Sequence, residues 1–408
     1  KGEPPLRLSY FDEEGNAWTY NKPTDSYYLH YFSRKQPDLN WENPEVRQEI
    51  FDMMRFWFDK GIDGFRMDSI SLIAKDPSFP LIDSKKYPDI FSFYAKEPRL
   101  HLYLHEMNRQ VLSKYDCMSV GEGSAVMVDD VAKFVDPARE ELNMLYHFDA
   151  ARIRNTTLPD NPESGIDYSL IALKKMFTEW DKAIDKGWPS IYLGNHDQPR
   201  MVSRFGSDKD EFRALSAKML ITFLLTMRGT PYWFAGDEIG MRNIRFDHIE
   251  DYNDIDTINR YKKAKAEGKD PQAVLDEQKE TGRDNARTPF QWDRSPEAGF
   301  TAGTPWLKVN PDYTWINVAD EEKDPTSILN YFKKVVSFRK ENPSLIYGSY
   351  HLLDAENPQC YIFLRKTGAD TYLIMLNFSP KAAISTPGID MSNAHVLLDN
   401  YGDRSHMA

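Results

Sequence analysis

From residue 43 onward the chain alternates between two hydrophobic periods. A short apolar run gives way to a polar or Gly-containing loop, and then to a stretch of amphipathic helical spacing. The clearest unit starts at Asn43, a helix-capping residue type, followed by Pro44, which suits the first helical position. Val46, Ile50, Met53 and Trp57 recur at helical spacing, and Phe51, Met54 and Phe58 widen the stripe. Gly61 is a natural stop, and 62–67 reads as a strand ending at Asp68. The same order predicts strands at 115–120, ending in Gly121-Glu122, and at 142–148, ending in Asp149. It predicts two more at 190–193, ending in Asn195-His196-Asp197, and at 230–235, ending in Gly236-Asp237-Glu238. A helix over 209–227 leads into the last of them. The mostly polar stretch 239–318 is expected to hold long loops and short helices over the face where the strands end, and a helix over 327–341 closes the section. From Tyr347 the pattern changes: 361–365, 371–377 and 395–398 read as strands of a small β domain with a boundary near residue 346.

Repeated βα units argue for a parallel sheet. Chemically capable residues at the ends of successive strands fit the active face of a (β/α)8 barrel, with an open doubly wound sheet as the alternative. The 408 residues allow two to three domains. A formal charge of −12 speaks against nucleic acid or an anionic membrane surface as partner. Cys117 and Cys360 are too far apart in sequence to suggest a disulfide scaffold or a Cys-based zinc site. The longest apolar run, 219–227, is far too short to span a bilayer. The chain opens on Lys-Gly-Glu-Pro-Pro with no initiator Met and no targeting segment, as if cut or begun partway.

Three strand ends carry the candidate chemistry. In Gly64-Phe65-Arg66-Met67-Asp68, strand alternation puts Arg66 and Asp68 on one face, and the guanidinium keeps the carboxylate ionised, as a nucleophile at a sugar carbon requires. Taken alone, a structural ion pair explains the motif equally well. Glu122 sits between Gly121 and Gly123, which are expected to leave its carboxyl exposed in the cleft; partly desolvated near a first carboxyl, it could serve as general acid. Asn195-His196-Asp197 adds a third carboxylate beside an imidazole. Both can bond vicinal sugar hydroxyls, although a turn or a metal site would use the same residue types. Together the three carboxylates are the apparatus of a retaining glycosidase, and an aromatic content of 13% suits sugar binding.

These residues resemble the α-amylase family, glycoside hydrolase family 13, over nearly the whole chain. Gln36-Pro37-Asp38-Leu39-Asn40 resembles the signature near the end of the family's inserted B domain, and 64–68, 121–122 and 195–197 resemble its nucleophile, acid/base and third-carboxylate strands. Two segments, 196–206 and Gly282-Arg283-Asp284-Asn285-Ala286-Arg287 through Asp293, are most similar to the branch of oligo-1,6-glucosidases, α-glucosidases and sucrose isomerases. The resemblance implies Asp68 as nucleophile, Glu122 as acid/base and Asp197 as the residue that binds the sugar 2- and 3-hydroxyls. Arg66 would orient Asp68. His196, Arg283, Phe148 and Ser69 would line the substrate pocket.

The implied function is an exo-acting retaining α-glucosidase on isomaltose- or maltose-type oligosaccharides. The alternatives are a sucrose isomerase or transglucosylase, and a non-catalytic binding relative. Ser69 stands where this branch carries Val with α-1,6 preference or Thr with α-1,4 preference, so linkage stays open. The isomerases' Arg-Leu-Asp-Arg-type segment is not matched by 148–154, which puts hydrolysis first, although Glu141-Leu142-Asn143-Met144 resembles isomerases as well as glucosidases. The resemblance further implies a TIM barrel lacking its first three strands in this chain. Residues 1–35 would be the end of the B domain, 36–345 strands four to eight, and 346–408 an incomplete C-terminal β-sandwich. No cofactor is implied as required, and calcium only through the part of the family fold outside this chain. An oligosaccharide is the implied partner, and the enzyme is expected to be a monomer when intact, with this chain needing the missing N-terminal segment. The compartment is open, the cytoplasm ranking ahead of the periplasm. The sequons at Asn155 and Asn377 decide nothing.

Overall fold

A computed structural model describes residues 16–81, 86, 90–156, 159, 167–368 and 370–401, together with 4, 7 and 9. Thr157 of the first sequon and 402–408 lie outside the described residues. The chain forms two compact units, one of Lys1–Phe148 with Lys182–Ser190, the other of Asp149–Asp181 with Ile191–Ala408.

In the first unit, β1 (Trp18–Asn21) and β2 (Ser26–Leu29) form an antiparallel hairpin. Helix α1 (Pro44–Asp59) begins as its sequence predicts: the Asn43 side chain accepts from the Glu45 N–H at 2.9 Å, with Pro44 in the first turn. It leads into β3 (Gly64–Met67), and helix α2 (Arg99–Gln110) precedes β4 (Met118–Glu122). With β5 (Met144–Tyr146) these strands make a parallel sheet in the order β3-β4-β5. Leu100, Tyr103, Leu104 and Met107 give α2 its buried stripe at helical spacing.

The α1 stripe lies elsewhere than expected. Phe51, Met54 and Phe58 are buried, Val46 and Ile50 are half-buried, and Met53 and Trp57 are 46% and 45% exposed. Aromatic packing sets the rotation: Phe58 stacks on Tyr115 at 4.5 Å and meets Phe65 of β3 edge-on at 5.0 Å. The β3–β4 contact has no room at Gly64, where an added Cβ would come within 2.0 Å of the Met118 carbonyl oxygen. A backbone atom cannot swing aside, so Gly64→Ala is expected to cost at least about 3 kcal/mol. Urea unfolding measures this, and an unshifted midpoint would refute the tight contact.

Further along the chain, helix α3 (Leu170–Ala183) precedes β6 (Ser190–Ile191), and helix α4 (Asp210–Thr226) precedes β7 (Thr230–Pro231). Strands β6 and β7 pair. All five predicted strand positions carry strands; four lie inside the predicted run and are shorter than it, while β4 starts three residues later than predicted and runs on through Gly121 and Glu122. The polar stretch 239–318 contains two helices of substantial length, α5 (Ile255–Ala266) and α6 (Pro271–Thr281). Asp254 caps the first through the Thr257 N–H, and Asp270 caps the second, with Pro271 at its first position. Helix α7 (Ile328–Glu341), capped by Ser327, packs Ile328, Tyr331 and Val335 against Ala217, Ile221 and Leu225 of α4.

Beyond it, β8 (Ser349–Leu353), β9 (Cys360–Thr367) and β10 (Asp370–Asn377) form an antiparallel sheet in the order β10-β9-β8. The predicted strand at 395–398 does not form, and Val396 and Leu397 are exposed. Two buried arginines tie this sheet to α4. Arg339 donates to the carbonyls of Leu225, Met227, Gly229 and Leu345, and Arg365 of β9 to those of Thr226, Leu345 and Gly348. Together they satisfy the Leu225 and Thr226 carbonyls, two of the orphans at the helix's C-terminal end. Among the described residues no helix is long and apolar enough to cross a membrane, and no cluster of three or more His, Cys, Asp or Glu could hold a metal ion.

Candidate active site

The first unit brings Arg66, Asp68, Ser69 and Glu122 together. Met67 pairs with Gly121 across β3 and β4, so Asp68 and Glu122 occupy equivalent positions one step further on. Neighbouring strands lie about 4.8 Å apart, the spacing on which two carboxyls about 5–5.5 Å apart can act on one sugar carbon with retention. The Arg66 guanidinium touches both acids, one nitrogen donating to Asp68 Oδ1 and the other 3.3 Å from Glu122 Oε2.

The two acids differ in their surroundings. The Asp68 side chain is 76% exposed and that of Glu122 only 9%. Burial pushes the Glu122 carboxyl up to about 7; the Ser69 N–H and Arg66 pull it down, and the Asp68 charge adds to the rise. Ser69 reaches Glu122 through its backbone. It adopts the left-handed conformation (φ 44°, ψ 31°), from which its N–H donates to Oε2 at 2.7 Å.

The flanking glycines play a different part from the expected one. Rather than opening the cleft around Glu122, they make room for apolar packing: a Cβ on Gly121 would lie 2.7 Å from Ile70 and Leu142, and one on Gly123 2.7 Å from Leu145. Phe148 stands two residues beyond β5, half-buried, whereas Tyr146 is the β5 residue in register with Glu122.

The second unit brings together His196, Asp197 and Arg283. Asn195 accepts from the Asp197 N–H at 2.8 Å and so closes the turn after β6. His196 Nε2 lies 3.3 Å from Asp197 Oδ2. Oδ1 of Asp197 accepts from two guanidiniums, Arg283 at 3.1 Å and Arg287 at 2.8 Å. Arg287 also donates to the His196 carbonyl at 2.7 Å. Arg283 is gripped from its far side by Asp254, through both Nε and Nη2. Burial alone would raise the Asp254 pKa, but the Arg283 contacts hold it below the usual carboxylate value. Buried Asp284 accepts the N–H groups of Asn253 and Asp254, both at 2.7 Å. Asp284 and Arg287 were read from the sequence only as part of the 282–293 segment, with no role, and Asp254 and Tyr146 were not singled out. Arg287 has a legible signal, lying four residues after Arg283, and the others have none at short range.

Comparison with known proteins sets these motifs in context. The family profile for the α-amylase catalytic domain matches residues 1–348. An oligo-1,6-glucosidase of Parageobacillus thermoglucosidasius is 50% identical over 397 residues, and one of Bacillus cereus 44%. Each alignment covers 95% of this chain and 70% of the relative. Among solved structures, an isomaltulose synthase variant from Erwinia rhapontici NX5, in complex with sucrose, superposes with a TM-score of 0.86 at 42% identity, covering 92% of this chain and 67% of that one.

Proposed function

The chain belongs to the α-amylase family, glycoside hydrolase family 13, and from that premise we propose that it is a retaining, exo-acting α-glucosidase releasing terminal non-reducing glucose from short oligosaccharides of isomaltose or maltose type. One observation carries the reading: two carboxyls end adjacent strands, one open to solvent beside an arginine, the other buried with a pKa of about 7. Environments that push two carboxyls apart in this way separate a nucleophile from a general acid.

In the proposed cycle Asp68 attacks C1 of the terminal glucose while Glu122 gives its proton to the glycosidic oxygen. The C1–oxygen bond breaks, the shortened sugar leaves, and a β-glucosyl ester forms on Asp68. Glu122, now a carboxylate, takes a proton from water, which attacks C1 and frees Asp68, giving α-glucose. Asp197 would hold the 2- and 3-hydroxyls as positive charge develops on the ring, with His196 and Arg283 beside it. The cycle uses no cofactor. Residues 1–35 are read as the end of an inserted domain, 36–345 as the fourth to eighth barrel strands, and 346–408 as part of a C-terminal β domain. Motif order along β3 to β7 and the antiparallel sheet after residue 349 support this division.

Two substrates test the reading. With p-nitrophenyl α-glucoside, whose only glucose comes from the cleaved bond, an NMR time course is expected to show α-glucose first; β-glucose first would overturn retention. With sucrose, glucose and fructose are expected. Isomaltulose or trehalulose as main product would favour isomerisation, the reading that likeness to the synthase supports.

A further inference from the structure

The contact between Asp254 and Arg283 joins the two ends of a single excursion. Asp254 is the residue before helix α5, and Arg283 is the second residue after helix α6. The helices are fixed to each other on polar contacts: Thr257 Oγ1 lies 2.9 Å from the Gln278 side-chain amide, and the Asn285 side chain donates to the carbonyls of Gln278, Lys279 and Gly282. All of this converges on Asp254, whose side chain is 2% exposed.

Its two oxygens have separate tasks. Oδ2 accepts from the Thr257 N–H and hydroxyl and holds the helix start. Among the described residues Oδ1 accepts hydrogen bonds from Arg283, which in turn reaches Asp197, and Arg287 Nη1 lies further off at 3.9 Å. Resting on the glucosidase reading above, we infer that Asp254 is the positioning residue of the active site: through Oδ1 it fixes the Arg283 guanidinium in the orientation that meets Asp197 and the sugar. A free arginine side chain explores many rotamers, and a shielded carboxylate removes that freedom before substrate arrives. Arg287 makes its hydrogen bonds to Asp197 and the His196 carbonyl and faces Asp254 only across 3.9 Å, so Asp254 holds Arg283 first.

Asp254→Asn tests this in the full chain. Asn is an equally good helix cap, so its amide oxygen can keep the contact to Thr257 while its NH2 group is turned toward Arg283. We expect kcat/KM for isomaltose to fall about 30-fold, with the melting temperature within a few degrees of the parent. Thr257→Val, which disturbs the helix start but not Arg283, should lower the melting temperature and leave kcat/KM within threefold. In an Arg283→Ala background the Asp254→Asn change should cost less than threefold. Wild-type turnover of isomaltose tests the reading beneath this inference. Against an active wild type, unchanged turnover by Asp254→Asn overturns the inference alone, and so does an undiminished loss in the Arg283→Ala background.

Discussion

Asp68→Asn is expected to lower kcat on p-nitrophenyl α-glucoside by on the order of 10⁴-fold or more, with little change in stability. The amide keeps the shape of the side chain but cannot donate an electron pair to C1, so no glucosyl ester forms. Arg66 Nη1, which now faces Asp68 Oδ1, would face the amide oxygen instead. Because the carboxylate is largely in solvent, losing this ion pair should cost about 1 kcal/mol or less. Azide supplies a second readout. With Asp68→Ala the nucleophile's place is empty, and added azide should attack C1 from the same side to give β-glucosyl azide. Retention of more than a few per cent of activity by the Asn variant would remove Asp68 from its role.

Glu122→Gln should divide substrates by leaving group. Isomaltose needs its departing oxygen protonated, and we expect a loss on the order of 10³-fold. Fluoride needs little protonation, so α-glucosyl fluoride should lose far less in the first step. The pH profile follows from the buried carboxyl. The acid acts when protonated, so wild-type kcat/KM should fall as pH rises through about 7, and the Gln variant should lose that alkaline limb. Stability runs in the same direction. The folded carboxyl titrates near 7 against an ordinary 4.5, so the folded state binds the proton more tightly. Its contribution is complete below about 4.5 and is lost as pH rises through about 7. Glu122→Gln should therefore melt higher than the parent at pH 8 and much the same at pH 4. An alkaline limb unchanged in the variant would assign that titration to another group.

Local, self-signalling features were legible in the sequence. Asn43-Pro44 marks the start of α1 because cap and first turn lie next to each other in the chain. The carboxylates at the strand ends stand out because each interrupts an apolar run. Features that depend on distant partners were not legible. Helices α5 and α6 bury few side chains, among them the polar Thr257 and Gln278, so they show no apolar stripe; their caps, Asp254 and Asp270-Pro271, were the only available signal. The run at 395–398 is apolar enough for a strand, but among the described residues no strand pairs with it. Glu122 is buried, and the Ser69 N–H that meets it lies 53 positions away, so neither feature has a short-range signal. The grip of Asp254 on Arg283 spans 29 positions.

The buried arginine pair bears on how such a chain can be recombined with its relatives. By sequence pattern, residue 346 is an inviting seam for exchanging C-terminal sheets. Yet the carbonyl of Leu345, just before that seam, accepts at 2.8 Å from Arg339 on one side of it and from Arg365 on the other. A graft joined there would have to bring a guanidinium of the same length and direction as Arg365, or take from the Thr226 carbonyl at the end of α4 its arginine donor. The heritable block is therefore the helix, the arginines and the sheet together, from about residue 210 onward, and a chimera that respects it keeps both ends of each bond.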